Sequence, residues 1–441
     1  MEKMSLQDIL DDIHDTLTDL GNKTYDSIWD GSAIDTDWYE SNTGATTYSI
    51  STAAELAGLA QLVNSGASNF SGKTVVLAAS IDLNSMPWTP IGTSYDYSFY
   101  GNFEGNGHLI GNLRIEGDVQ YAGLFGYTCN NSGESTFIRN VNLRNINIDI
   151  NSSSSSAYAG GIVGYQSGSG NQIIENCSAE GDVSASGSSY AYAGGIVGYQ
   201  NGGGSQTVEN CSAEGDVSAS GSSSAYAGGI VGYQGGGNQI VENCSAEGDV
   251  SASGSSYAYA GGIVGFQGGG NQIVENCSAE GDVSASGSSS AYAGGIVGLQ
   301  SGGGNIGIRI INCYFIGNLI NSGNSDNSYG GGILGYWDSS GTSGGYWCNF
   351  IDCYAAATFS GFSARGNLLG GNGNDPQYCI LTDCYYDTTL AGFNNYTGIG
   401  AVTAQMKTRG TYFNWDFGYV WKIEPDKYPE LRIFGKCDCK K

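Results

Sequence analysis

The stretch AYAGGIVGYQNGGGSQTVENCSAEGDVSASGSS, Ala191–Ser223, decides how this chain is read. It returns almost unchanged along the sequence. AYAGGIVG begins at Ala157, Ala191, Ala225, Ala258 and Ala291, and ENCSAEGDVSASGSS begins at Glu175, Glu209, Glu242 and Glu275. Diverged copies flank the block, YAGLFGY at Tyr121 and YGGGILGYW at Tyr329. Copies recur every 33 or 34 residues, a period that signals a solenoid. No copy carries a 3.6-residue pattern. Cys177, Ala179, Val183 and Ala185 instead alternate with Ser178, Glu180, Asp182 and Ser184, the period of a strand. Gly, Ser and Asn punctuate these segments as turn residues do. One coil of parallel strands per copy is expected, with equivalent residues about 4.8 Å apart.

Stacking turns aligned positions into columns. Asn176, Asn210, Asn243, Asn276 and Asn312 form one, expected to turn inward and hydrogen-bond along the stack. Cys177, Cys211, Cys244, Cys277, Cys313, Cys353 and Cys384 form the next, as small buried hydrophobes. Gln166, Gln200, Gln234, Gln267 and Gln300 give a third, and Tyr158, Tyr192, Tyr226, Tyr259 and Tyr292 a fourth. The Tyr column, joined by Tyr190 and Tyr257 in alternate copies, reads either as a flat face on which sugars stack or as packing at the edge of the core. The pattern does not decide whether the Ile-Val pair of AGGIVG points in or out.

The segments AGGIVGYQ and AGLFGY resemble the GLUG motif of bacterial surface and secreted proteins. ISTAAELAGLAQLVNSG near the start is similar to the opening of such domains, and MKTRGTYFNWDFGYVWKIEPDKYPELRIFG to their end. The resemblance covers about residues 48–435. It implies an all-β protein, a right-handed parallel β-helix, with a helical cap near residues 52–64 and a C-terminal cap rich in Trp415, Trp421 and Tyr428. The expected organisation is a docking or oligomerisation helix over 1–22, the N-terminal cap and first coils over 23–120, the solenoid over 121–390, and a C-terminal cap with a basic Cys-containing tail over 391–441.

The chain has 441 residues, 73 of them glycine, and a formal net charge of −26. Such acidity disfavours nucleic acid, whose binding runs on Lys and Arg. No stretch reaches the roughly 18–20 apolar residues of a membrane span. Between residues 145 and 308 there is no Lys, Arg or His against 13 acids. Some GLUG-containing proteins are zinc proteases, but His14 and His108 lie in no HExxH motif. β-Helix lyases need a basic proton acceptor, which the repeat body lacks. Glycosidases need two distinct carboxylates, whereas the acids here are uniform columns such as Asp182, Asp216, Asp249 and Asp282. The chain is therefore expected to be no enzyme and to need no cofactor, with Ca²⁺ along the acid columns as a weaker alternative. Cys348 and Cys379 fall one coil apart, within the Cα window for a disulfide.

Leu6, Ile9, Ile13, Leu17 and Leu20 share one helical face, and no signal peptide is visible. The expected role is adhesion, recognition or assembly: a fibre-like part of a phage tail or tail-like particle, joined through residues 5–20 into a homo-oligomer or larger body. The alternative is a bacterial cell-surface adhesin binding a glycan or protein receptor, and a third reading is a polysaccharide-degrading β-helix enzyme. Each places the protein outside the cell, on its surface or on a virion.

Overall fold

The computed structural model describes residues 25–131, 133–153, 155–302, 307–338, 348–372, 379–394 and 398–434. The helix expected at 5–20 and the tail carrying Cys437 and Cys439 lie outside the described residues. Each repeat closes one coil of a parallel β-solenoid of about 8 turns. In a typical coil β1 (Tyr190–Gly194), β2 (Val197–Gly202), β3 (Gln206–Glu209), β4 (Ser212–Glu214) and β5 (Val217–Gly221) follow one another around the circumference. Each pairs in parallel with its equivalents on neighbouring coils. Tyr192 faces Tyr158 and Tyr226, and Gln200 faces Gln166 and Gln234. Among the described residues the β1 and β2 sheets have 8 strands each and the β3 sheet 11, while β4 and β5 merge into a sheet of 16.

The alternation seen in sequence sets the core. Cys211, Ala213, Val217, Ala219, Ala225 and Ala227 are buried, and so are both members of the Ile230–Val231 pair. The coil is thin enough that glycine is required where opposite walls meet. A Cβ on Gly262 would lie 2.1 Å from the Gly295 carbonyl oxygen and 2.5 Å from the Ala279 Cβ. One coil on, Phe315 stands in register with Ala279, and its ring fills the space beside Gly295.

The corner between β3 and β4 explains the asparagines. Asn140, Asn176, Asn210, Asn243, Asn276 and Asn312 hold φ between 51° and 55°, a left-handed conformation that Asn tolerates better than most residues. Asp352 and Asp383 occupy the corner on the last coils at φ 51° and 49°. The Asn column therefore does not turn inward, contrary to expectation, because the corner directs these side chains outward, and Asn176 and Asn210 are exposed. The amides still tie coils together. Asn243 donates to Asn210 at 3.0 Å, Asn276 to Asn243 at 3.0 Å and Asn312 to Asn276 at 2.9 Å. Asn176 donates instead to the neighbouring Glu175 at 3.3 Å.

Both ends are built from sequence outside the repeat. α1 (Ala53–Asn64) starts at a capping box between Thr52 and Glu55 and buries Leu56, Leu59, Leu62 and Val63 in the main core. Near the other end the column of Ser212, Ser245 and Ser278 continues as Tyr314, Tyr354 and Tyr385. These outward rings join Met406, Tyr412, Trp415, Trp421 and Leu431 in a second core, and Tyr354 donates to the Pro429 carbonyl at 2.7 Å. The C-terminal segment thus packs along the outer face of the 16-stranded sheet.

Asn243→Val is expected to lower stability by about 2 kcal/mol, since a β-branched residue pays roughly 1–2 kcal/mol in the left-handed region and two amide bonds go with it. Asn243→Gly should lose less than the Val variant. Urea midpoints read by circular dichroism check the order.

Candidate functional site

The acid columns have structural partners. At the corner between β4 and β5 glycine holds a positive φ, as at Gly215 (133°) and Gly248 (133°). The Asp that follows bridges coils: Asp182 accepts the backbone N–H of Asp216 at 2.9 Å, Asp216 that of Asp249 at 2.9 Å, and Asp249 that of Asp282 at 2.8 Å. Asn318 continues the chain by donating to Asp282 at 2.6 Å. On β3, burial and then the neighbouring Glu175 and Glu242 carboxylates raise the pKa of Glu209. Burial and then Glu247 raise that of Glu280. Among the described residues no group of three His, Cys, Asp or Glu side chains is placed to hold a metal ion.

The thiol column is interior. Cys177, Cys211, Cys244, Cys277, Cys313, Cys353 and Cys384 are buried and free. Burial pushes the Cys177, Cys211, Cys244 and Cys313 thiols up, so they stay protonated donors. Cys244, for example, lies 3.2 Å from the Glu242 carbonyl oxygen. Cys348 and Cys379 stand in register on adjacent coils as free thiols. The Gln column is also interior. Gln234 donates to Gln200 at 2.8 Å, Gln267 to Gln234 at 2.9 Å and Gln300 to Gln267 at 2.7 Å.

Tyr158, Tyr192, Tyr226, Tyr259 and Tyr292 line up on the outer face of the β1 sheet. Their rings stack on one another, with centroids 4.6–5.2 Å apart and planes within 13°. A parallel column that the sequence reading passed over, Tyr165, Tyr199, Tyr233 and Phe266, stacks on the β2 sheet at 4.6–4.8 Å. The two columns meet edge to face, Tyr192 on Tyr199 at 4.9 Å and 78°. The ring faces of the expected column are consequently spent on neighbouring rings, and the surface sees edges and hydroxyls. Burial raises Tyr158 and Tyr233 to about 12, so these hydroxyls remain neutral. The signal for the second column was the Y of GGIVGYQ, at Tyr165, Tyr199 and Tyr233, which gives way to Phe266 and Leu299 in the later copies.

Two tyrosines differ. Tyr190 and Tyr257 are 40% and 41% exposed. Beside them runs an uncharged groove of about 460 Å³ along the corner between β5 and β1. Its lining comes from Ser186–Ser188, Ser220–Ser222 and Ser253–Ser255, with Asn151–Ser153 on a neighbouring coil.

Comparison with known proteins gives one repeat motif and several solved structures. The GLUG motif matches residues 155–184, 223–251 and 256–284, so the chain carries GLUG repeats on a parallel β-solenoid. A crystal structure from Bacteroides ovatus, provisionally named an immunoglobulin A1 protease, is similar at 20% identity with TM-score 0.45, covering 88% of this chain and 92% of that one. A second structure, named IgA1 protease, is similar at 14% identity with TM-score 0.38, covering 90% of this chain and 26% of that one. No curated protein matches the sequence.

Asp352 provides an electrostatic test. Its carboxyl, half-buried in the corner column, is raised to about 6, chiefly by burial. A raised carboxylate pKa means that the folded state binds the proton more tightly than the unfolded one. Its cost to stability is absent below the unfolded value near 4 and grows up to about pH 6, remaining above it. Asp352→Asn should therefore stabilise the protein at pH 8, by about 1 kcal/mol after allowance for solvent screening, and give no gain at pH 4. Melting temperatures at both pH values measure it.

Proposed function

We propose that the chain is a non-enzymatic, elongated module for adhesion and recognition, carried as a fibre-like component of a phage tail or tail-like particle. One observation carries the reading. The Asp column of the shaft repeats coil after coil, and its acids serve the stack: the Asp182, Asp216 and Asp249 carboxylates receive backbone N–H groups from the next coil. A catalytic centre needs side chains in distinct roles at one place, whereas near-identical coils multiply one arrangement. A regular rod is suited to hold a binding surface away from an anchor. The GLUG repeats are compatible with this role.

A second reading, a bacterial cell-surface adhesin for a glycan or protein receptor, draws on the exposed Tyr190 and Tyr257 beside an uncharged groove. Both readings put the protein outside the cell or on a particle, and both make the shaft a recognition surface. A polysaccharide-degrading enzyme has less in its favour, since basic side chains lie only at the flanks of the repeat block, at Arg114, Arg139, Arg144, Arg309 and Arg365.

Mass determination in solution separates the first two. The particle reading expects a trimer or larger assembly that dissociates when residues 1–22 are removed. A monomer whose elution is unchanged by that deletion would overturn it and leave the adhesin reading. Depolymerisation of an acidic polysaccharide by the intact chain would overturn both.

A further inference from the structure

The outer face of the 16-stranded sheet is covered along part of its length by the chain itself. The C-terminal segment packs on Tyr314 and Tyr354, and the Tyr354 hydroxyl donates to the Pro429 carbonyl. From there the segment advances towards the N-terminal coils. Ile433 and Phe434 lie beside Asn210, Ser212, Asn243 and Ser245. Between Pro429 and Phe434 the chain thus crosses from the coil of Tyr354 to those of Ser245 and Ser212. Beyond Phe434 the same face continues as a groove of about 300 Å³, lined by Asn142, Arg144, Ser178, Glu180, Ser212 and Glu214. Its far end is marked by Tyr25, whose hydroxyl sits where a Cβ of Gly111 would be. Gly111 stands in register with Arg144.

The groove carries carboxylates that lack cations. Glu180, Glu214, Glu247 and Glu280 stand in register on successive coils. Glu180 pairs with Arg144 at 3.2 Å, and Glu280, in the covered part, accepts the Tyr314 hydroxyl at 3.3 Å. Glu214 and Glu247 are exposed, and among the described residues neither has an ion-pair partner. No basic residue occurs between 145 and 308 to supply one.

We propose that this groove is the docking site of the chain's own C-terminal residues 435–441, GKCDCKK, with their lysines on the column of Glu180, Glu214 and Glu247. These residues follow Phe434 directly and lie outside the described residues. Their backbone can reach up to about 25 Å, whereas Ser212 and Asn142 are two coil steps apart, about 10 Å. They carry Lys436, Lys440 and Lys441 against Asp438, a charge opposite to that of the groove. The other end of the chain suits the groove less well. Residues 1–24 precede Tyr25 but hold Glu2, Asp8, Asp11, Asp12, Asp15 and Asp19 against Lys3 and Lys23, and like charges repel. A tail that begins on the face it binds has an effective concentration on the order of millimolar, which favours its own groove over that of a second copy. Exposed ion pairs contribute little each and are screened by salt, so the tail docks at low ionic strength and is released at high.

The test is carbodiimide coupling of lysine amines to carboxylates in the full chain at low salt, followed by peptide mass mapping. The Lys422–Glu430 and Lys427–Glu424 pairs, at 3.0 and 2.7 Å, serve as internal controls. A tail lysine should couple to Glu214, with further links to Glu247 or Glu180. The yield should fall at least about fivefold at about 1 M salt, where the Debye length is about 3 Å. Glu214→Gln should remove its own link and leave the controls unchanged. On a mixture of isotope-labelled and unlabelled chains, links within one copy are expected. Links confined to mixed pairs would overturn docking on the parent chain and assign the groove to a second copy. Controls that couple while the tail lysines do not, or couple only to carboxylates on other faces, would overturn the proposal. Links from Lys3 or Lys23 to Glu214 would overturn it in favour of the N-terminal segment.

Discussion

Everything in this molecule depends on parallel, in-register stacking of equivalent residues at one coil step. Strand pairing fixes the step near 4.8 Å, and every side chain must be compatible with a copy of itself at that distance. Apolar groups satisfy this by packing, as the Ala225–Ala258 and Val231–Val264 pairs do. Amides satisfy it by donating to the next amide, as the buried Gln200 and Gln234 do. Aromatic rings satisfy it by stacking. Carboxylates satisfy it least well, since like charges repel, and the chain answers by giving the Asp column backbone N–H donors and leaving the Glu columns towards solvent.

That constraint explains why the shaft is chemically monotonous and where it is not. A column changes identity only where something other than stacking acts on it. Ser278 gives way to Tyr314 where the C-terminal segment packs on the sheet. Ala279 gives way to Phe315, whose ring fills the space beside Gly295. Tyr190 alternates with Ser224 and Tyr257, the two rings exposed and the serine between them buried. The first two changes have a structural cause within the fold, and the third is the one that points outward.

The cysteines show the same rule. Seven of them occupy one interior column, each sulfur beside a main-chain carbonyl. Cys348 and Cys379 stand in register one coil apart as free thiols.

Repeat period, strand alternation and the resemblance of AGGIVGYQ to the GLUG motif were enough to read a capped parallel β-helix from the chain alone, because coil length and inward positions are local properties of the sequence. The membership of columns was equally legible, since equal spacing is stacking. Side-chain direction at corners was not. Asn243 looked inward until its φ of 54° turned it out, and Ile230 and Val231 had no assigned face until the turn before β2 buried both. The aromatic face was legible as a set of tyrosines but not as a surface. Whether a ring offers its face or its edge depends on what lies one coil above and below, and that is decided by tertiary stacking alone.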